Sequence, residues 1–269
     1  MLIKYFLLFL VLVFIIFTIY ENFSLGITEI TYENSKIPKS FNNYRILQIS
    51  DYHNKKFLQE DYFLNKVKAT KPDIIFITGD IINSRNPKYE IVEKTLEEII
   101  KIAPVYYVTG NHESRLEEFP QFIEKMKDIG VEVLEDSSLE VEKENSKINI
   151  IGLNDPQYYG KKHLFSKLKD LIKEDEFNIL LSHRPEYFKE YVKTGVDLVF
   201  SGHAHGGQIK IPFIGAILAP NQGILPAYVE GLHKKDNTSL IISRGIGSSL
   251  IPIRVFNQGE LVLVEVKSR

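Results

Sequence analysis

The chain has 269 residues and a formal net charge of −2, with 44% hydrophobic and 25% charged residues. This length and composition are typical of a globular protein with one large domain or two small ones. The charge argues against bulk electrostatic binding of nucleic acid, so no nucleic-acid partner is expected. The absence of cysteine excludes disulfides, thiolate catalysis and cysteine-ligated zinc.

The N-terminus carries a long apolar stretch. Residues 5–20 contain no charge, and Lys4 precedes them while Glu21 follows. The stretch approaches the ~20 residues that a membrane helix requires, and it lacks the polar face of a buried core helix. We therefore predict a single-pass transmembrane anchor over residues 1–22, with the N-terminus inside and the rest extracytoplasmic. Cleavage as a signal peptide near the small residues Ser24 and Gly26 is the alternative.

After the anchor, strands and helices alternate. The pattern predicts strands over residues 27–32, 45–50, 73–79 and 105–109, and helices over residues 59–70 and 89–102. The run over residues 73–79 is continuously apolar, which is typical of a strand buried on both faces of a parallel sheet.

Beyond residue 130 the pattern changes. It predicts strands over residues 131–134, 147–153, 177–181, 197–200, 239–244 and 260–266, and helices over residues 163–173 and 185–193. The charged turn at residues 142–146 favours a hairpin between the first two of these strands. A parallel half followed by a mixed half suggests two sheets packed between helices.

Five short segments place an acid, an amide or a histidine at the end of an apolar run. They are Ser50-Asp51-Tyr52-His53, Gly79-Asp80, Gly110-Asn111-His112-Glu113, Ser182-His183 and Gly202-His203-Ala204-His205. Together they hold five of the seven histidines. Each segment alone is a weak signal, since aspartate and Gly-Asp are common in turns. Alternate residues of an extended segment face one side, however, so the Asp-x-His and His-x-His pairs each converge on a point.

The spacing of the early segments matches the fold. Asp51 and Asp80 are 29 residues apart, and Asp80 and His112 are 32 residues apart. One strand-helix-strand unit spans about 30 residues, so these side chains recur at the carboxyl edge of one sheet, where open α/β sheets bind ligands. Oxygen and imidazole donors gathered in this way predict a metal site.

The order of the five segments is similar to the signature of the calcineurin-like metallophosphoesterase superfamily, over about residues 27–269. Residues 50–55, 181–185 and 202–208 resemble its membrane-anchored YkuE-like branch, which the N-terminal span also fits. Asn83 departs from the aspartate of many relatives, at a position that is not a usual ligand. The resemblance implies an α/β fold of mixed α+β character, a four-layer αββα sandwich of two mixed β-sheets flanked by helices. The metallophosphoesterase catalytic domain would then occupy residues 23–269.

The resemblance also implies two divalent metal ions. One would be held by Asp51, His53, Asp80 and His205, and the other by Asp80, Asn111, His183 and His203. The shared Asp80 suits bridging because a carboxylate has two acceptor oxygens. Without sulfur in the set, Mn²⁺, Fe²⁺/³⁺ or Zn²⁺ are the expected ions. A bridging hydroxide would attack phosphorus in line.

His112 lies outside this ligand set. We interpret it as a catalytic residue, either a general acid or a stabiliser of the transition state. Glu113 either orients it or is a solvated glutamate, and Arg184 either contacts phosphate or lies at the surface. His163 and His233 belong to no motif, and we interpret both as surface residues.

The apolar segment over residues 211–232, interrupted by glycine and proline, bears on the substrate. It is either a loop packed on the second sheet or a lip that admits an acyl chain or touches the bilayer. With the anchor, it favours a lipid-linked phosphate or pyrophosphate substrate. By analogy, some relatives in the YkuE-like branch cleave the pyrophosphate of a UDP-diacylglucosamine. The alternatives are a phosphodiesterase for soluble nucleotides or small esters, and a metal-stabilised binding module without catalysis.

Overall fold

A computed structural model of the chain describes residues 1–59, 61–158, 160–248 and 253–269. Six α-helices lie within these residues: α1 Leu2–Phe23, α2 Tyr62–Ala69, α3 Tyr89–Ile99, α4 Phe119–Ile129, α5 Lys161–Leu171 and α6 Phe188–Val192. In the described part of the chain, α1 is the one helix long and apolar enough to cross a membrane, and its apolar window is not buried against the domain. The predicted apolar N-terminal helix is therefore confirmed, while the domain boundary at residue 23 stays a prediction.

The strands of the first half are β1 Leu25–Asn34, β2 Tyr44–Ile49, β3 Ile74–Thr78, β4 Val105–Val108, β5 Glu132–Val133, β6 Ser137–Lys143 and β7 Ser146–Gly152. Those of the second half are β8 Phe177–Leu181, β9 Leu198–Ser201, β10 Lys210–Ile211, β11 Gly215–Ala216, β12 Leu218–Ala219, β13 Gly223–Ile224, β14 Gly231–Lys235, β15 Thr238–Ile242 and β16 Gly259–Ser268. The predicted strands and helices are present, with ends displaced by a few residues. The predicted helix over residues 59–70 includes residue 60, which lies outside the described residues.

Two six-stranded mixed sheets are formed, in the orders β1-β16-β2-β3-β4-β5 and β14-β15-β9-β8-β7-β6. Their facing sides share one apolar core, in which the rings of Phe76 and Phe200 lie 5.3 Å apart, centroid to centroid. Helices α2 to α4 cover the outer face of the first sheet and α5 and α6 that of the second. The four-layer αββα arrangement is thus confirmed.

One predicted pairing is wrong. Residues 131–134 do not form a hairpin with β7, because β5 joins the first sheet beside β4, in parallel. The antiparallel partner of β7 is β6, which pairs Ser137 with Gly152. Strand β6 is half-buried and carries several polar side chains, as edge strands do, so no apolar run marks it in the sequence.

The strands that end at the sequence-predicted site run in the same direction. Strands β2, β3 and β4 are mutually parallel in the first sheet, and β7, β8 and β9 in the second. Their carboxyl ends meet at one edge of the sandwich, and each of the five segments follows one of these ends. The topology therefore brings the segments together from both sheets.

Candidate metal centre

The backbone turns sharply at the strand ends. Five non-glycine residues of the segments have positive φ: Asp51 (49°), His53 (49°), Asp80 (52°), His203 (65°) and His205 (49°). Non-glycine residues rarely take this left-handed conformation, and it persists mainly where surrounding contacts enforce it, commonly at functional sites. The conformation turns these side chains out of the strand direction and towards a common centre.

The first group of side chains consists of Asp51, His53, Asp80 and His205, all buried, each offering one atom within 4.8 Å of the others. His205 Nε2 lies 3.3 Å from Asp51 Oδ1 and 3.3 Å from His53 Nε2. His53 Nε2 lies 3.8 Å from Asp80 Oδ2. Two carboxylates and two imidazoles held this closely form a donor set that suits a divalent transition metal.

The second group shares Asp80 with the first and adds His183 and His203, again within 4.8 Å of one another. His183 Nδ1 donates to the Thr78 carbonyl at 2.7 Å, and its Nε2 lies 3.2 Å from Asp80 Oδ2. Asn111 lines the same cleft. The buried Oδ1 of Asn111 has no hydrogen-bond partner among the described residues. Buried polar atoms normally have a partner, so this arrangement fits a bound ion.

The electrostatics of the centre favour a cation. Burial lowers the pKa of His53 and His205 to about 3 and that of His203 well below its usual range, so these imidazoles are neutral. Burial also disfavours charge on His183, yet the Asp80 carboxylate raises its pKa to about 10. Burial likewise disfavours the ionised form of Asp80, but His183 holds the pKa of Asp80 well below its ordinary value.

Glu113 has a role other than the two considered from the sequence, which were to orient His112 or to lie in solvent. It is fully buried, and its carboxylate accepts the backbone N–H groups of Gly110 at 2.7 Å, Asp80 at 2.9 Å and Ile82 at 3.1 Å. Glu113 thus binds the backbone of the turns after β3 and β4. It fixes those two turns relative to each other.

The His112 ring is oriented by Ser84. The backbone N–H of Ser84 donates to His112 Nδ1 at 3.0 Å, and Ser84 Oγ lies 3.0 Å from the same nitrogen. Because an N–H donor faces Nδ1, the neutral ring carries its proton on Nε2. Burial lowers the pKa of His112, which favours this neutral form. The ring lines the cleft and stands edge-on to His53, 4.6 Å between centroids.

Arg184 is a fixed part of the site rather than a surface residue. It is buried, and Asp155 accepts from its Nε at 2.5 Å and its Nη2 at 2.9 Å. Its Nη1 lies 3.0 Å from His203 Nε2, and Asn221 Nδ2 approaches the same nitrogen at 3.0 Å. Sequence reasoning missed Asp155, although it follows the apolar strand β7 as Asp51 follows β2. It also missed Asn221, which no strand-end pattern marks.

The centre opens into a cleft of about 620 Å³. Four cationic side chains line it: Arg85, Arg115, Lys161 and Arg184. Three of them are exposed while Arg184 is buried. A divalent metal site with carboxylates at its base, in a cleft lined by guanidinium and ammonium groups, is suited to bind phosphate-containing anions.

Comparison with known proteins agrees with this geometry. The sequence profile of the family described as calcineurin-like phosphoesterase matches residues 44–207. The chain is 31% identical over 252 residues to the metallophosphoesterase YkuE of Bacillus subtilis (strain 168), a match covering 90% of this chain and 85% of that protein. It is 26% identical over 248 residues to the transmembrane protein with metallophosphoesterase domain of Danio rerio, covering 86% of this chain and 55% of that protein.

Among solved structures, the TT1561 protein of Thermus thermophilus has a similar fold, with a TM-score of 0.51 and 12% identity, over 76% of this chain and 90% of that one. At this identity the likeness concerns the fold alone. The sequence match and the family profile carry the assignment. The chain belongs to the calcineurin-like phosphoesterase family of metal-dependent hydrolases of phosphoester bonds.

Proposed function

We propose that this protein is a membrane-anchored, two-metal phosphohydrolase that cleaves the phosphoester or pyrophosphate bond of a lipid-linked substrate. One observation carries the proposal: two groups of buried ligand atoms meet on the carboxylate of Asp80. A single carboxylate shared by two donor sets at the base of a cationic cleft is what a two-metal phosphohydrolase requires.

The residues divide between the two ions as the family resemblance implies. One ion would be held by Asp51, His53, Asp80 and His205, and the other by Asp80, Asn111, His183 and His203. When bound, two such ions acidify a shared water molecule and withdraw charge from the phosphoryl oxygens. The oxygen and nitrogen donors suit Mn²⁺, iron or Zn²⁺.

The cationic rim binds the phosphate groups. Arg184, fixed by Asp155, supplies a positive charge beside His203 whose position does not depend on substrate. Arg85, Arg115 and Lys161 are exposed, so their side chains can follow a longer anion. Charges distributed around the cleft in this way favour a substrate with two linked phosphates, since both can be neutralised at once.

His112 acts as a hydrogen-bond donor to the reacting phosphate. Because Ser84 N–H faces Nδ1, the ring offers the Nε2 proton while it remains neutral. A donor aimed at an oxygen that gains charge in the transition state lowers the barrier without a full proton transfer. This geometry favours stabilisation of the transition state over general-acid catalysis.

Two features outside the centre support a lipid-linked substrate. Helix α1 has the length and composition of a membrane span, and Lys4 at its start favours an inside N-terminus with the catalytic domain outside. The segment following the last ligand exposes several large apolar side chains. An acyl chain attached to the phosphate would be compatible with both.

The experiment is a substrate panel with the purified full chain in detergent and Mn²⁺. It includes nitrophenyl monoesters and diesters, a soluble nucleotide sugar and a pyrophosphate-linked acylated sugar in mixed micelles. Faster cleavage of the acylated pyrophosphate than of its soluble counterpart is the expected result. Equal or faster cleavage of soluble diesters would favour the soluble phosphodiesterase instead. Absence of hydrolysis from protein that holds two equivalents of metal would favour a binding module.

A further inference from the structure

The anchor ends at the edge of the sandwich that holds the metal centre. Strand β1 follows α1 directly, and its first residue, Leu25, pairs with Gly259 at the start of β16. Strand β16 runs antiparallel to β2, with Val262 opposite Gln48. The start of β16 therefore lies beyond the carboxyl end of β2, where Asp51 is located.

Hydrogen bonds connect the end of α1 to the site. Asn22 Nδ2 donates to the Arg254 carbonyl at 2.9 Å, and the Arg254 N–H donates to Asn22 Oδ1 at 2.9 Å. Arg254 is buried, and its Nη2 lies 3.4 Å from Nδ1 of His205. The rings of Phe17 in α1 and Phe256 pack at 5.1 Å between centroids. One residue, Arg254, thus separates the anchor from a candidate metal ligand.

Two short hairpins lie next to these contacts. The hairpin of β10 and β11 adjoins Val255, because Lys210 N–H donates to the Val255 carbonyl at 3.0 Å. Its turn carries Phe213, which is fully exposed. The hairpin of β12 and β13 places Asn221 in its turn, bonded to His203. One hairpin therefore reaches the metal centre, while the base of its neighbour contacts the segment around Val255, whose flanking residues Arg254 and Phe256 contact α1.

These hairpins and the segment next to them form what we call the apolar platform. Its exposed side chains are Phe213, Ile214, Leu218, Ile224, Leu225 and Ile253, each between 47% and 109% exposed. Residues 209–225 contain a single charged side chain, Lys210. Large apolar side chains exposed within one short stretch of chain are typical of an interaction site in a folded protein, and the proposed anchor would keep lipid within reach.

We propose that the apolar platform inserts into the bilayer interface beside α1, so that the cleft opens at the level of the lipid headgroups. Phosphate groups of membrane lipids would then reach the metal centre while their acyl chains stay in the bilayer. Large exposed apolar side chains are what inserts into such interfaces, whereas the one charged side chain, Lys210, is paired with Glu230. The inference rests on the proposed anchor, and it specifies how a lipid-linked substrate enters.

The test uses the absence of tryptophan from the chain. Phe213→Trp and Ile224→Trp each place a single tryptophan on the platform, one on each hairpin, so the test survives if one variant fails to fold. Glu97→Trp is the matched control, since Glu97 is exposed near the end of α3, before β4 begins at the opposite edge of the sheet. Full-length variants are reconstituted into vesicles of phosphatidylcholine and phosphatidylglycerol, with and without bromine on the acyl chains.

We expect platform tryptophans to emit at shorter wavelength than the control and to lose emission in brominated vesicles, whereas the control is unchanged. Platform emission that matches the control in both vesicle types would overturn the inference. A short-wavelength emission without bromine quenching would also overturn it, because the platform would then contact a second copy of the chain. A chain that does not float with the vesicles overturns the anchor and the inference together. Hydrolysis in detergent is measured separately and does not depend on either result.

Discussion

Replacing Glu113 with glutamine tests whether one buried carboxylate organises the metal centre. The substitution keeps the size of the side chain and removes half of its acceptor capacity. Oε2 accepts from Asp80 and Gly110, and Oε1 accepts from Ile82. In Glu113→Gln, at least one of these three backbone N–H groups must face an amide NH₂ and lose its acceptor.

The magnitude follows from the number of orphaned donors. A buried donor without a partner costs about 1–3 kcal/mol, so the best-placed glutamine destabilises the protein by about that amount. For a domain of this size, 1 kcal/mol lowers Tm by about 2–4 °C, which gives a decrease of about 2–12 °C. Glu113→Ala orphans all three donors and would remove much of the ~5–15 kcal/mol that keeps a domain folded. Glutamine is therefore the informative variant.

Two quantities are measured for each variant: the Tm, from thermal unfolding monitored by circular dichroism in detergent, and the metal content. Because Glu113 holds the backbone of Asp80, we expect Glu113→Gln to bind metal about 10–100-fold more weakly as well. Glu117→Gln is the control, since Glu117 is exposed and nearby, and surface substitutions change stability by about 0.5 kcal/mol or less. If Glu113→Gln matches the control in both Tm and metal content, the carboxylate does not organise the turns.

Three further variants separate the parts of the site. Asp80→Ala removes the shared ligand, so elemental analysis should find the protein without either ion, and two retained equivalents would contradict the sharing. His112→Ala should keep its metal and lower kcat by about 10²–10³, and unchanged turnover would exclude the proposed donor. Gly202→Ala adds a Cβ that overlaps Ser50 Oγ and Asp51 Oδ2. Displacement of Asp51 should weaken the metal site it serves, which metal titration measures; wild-type affinity would show that the turn can relax.

The local sequence pattern was sufficient to predict the fold and to identify the candidate ligands at the strand ends. Buried parallel strands appear in the sequence as uninterrupted apolar runs, as in β3. A candidate ligand at the end of each run can therefore be identified without knowing which other ligands it meets. His183 and Asp80 belong to different sheets, and their approach follows from both strands ending at the same edge of the sandwich. Their convergence was predictable because the order of the segments resembles a known family.

Other features depend on tertiary contacts that leave no local signature. Glu113 follows His112 in a turn, where a glutamate is ordinarily solvated, and only the approach of the β3 turn supplies its two other donors. Strand β6 has no apolar run because it lies at a sheet edge. Arg254 reaches the site from the far end of the sequence, through contacts with Asn22 and His205.

Tertiary contacts also explain how the strained backbone and buried charged groups of the metal centre persist at this edge of the sandwich. Five candidate ligands have a left-handed backbone, and burial raises the pKa of Asp51, so the site alone opposes folding. The surrounding structure offsets this cost with bonds to the backbone, among them the three donors to Glu113 and the His203 N–H donated to Asp51. Divalent ions would offset more of it, since metal binding stabilises the folded state that forms the site. Preorganisation is thus maintained by the scaffold, and the buried ligand atoms are left available to bind metal.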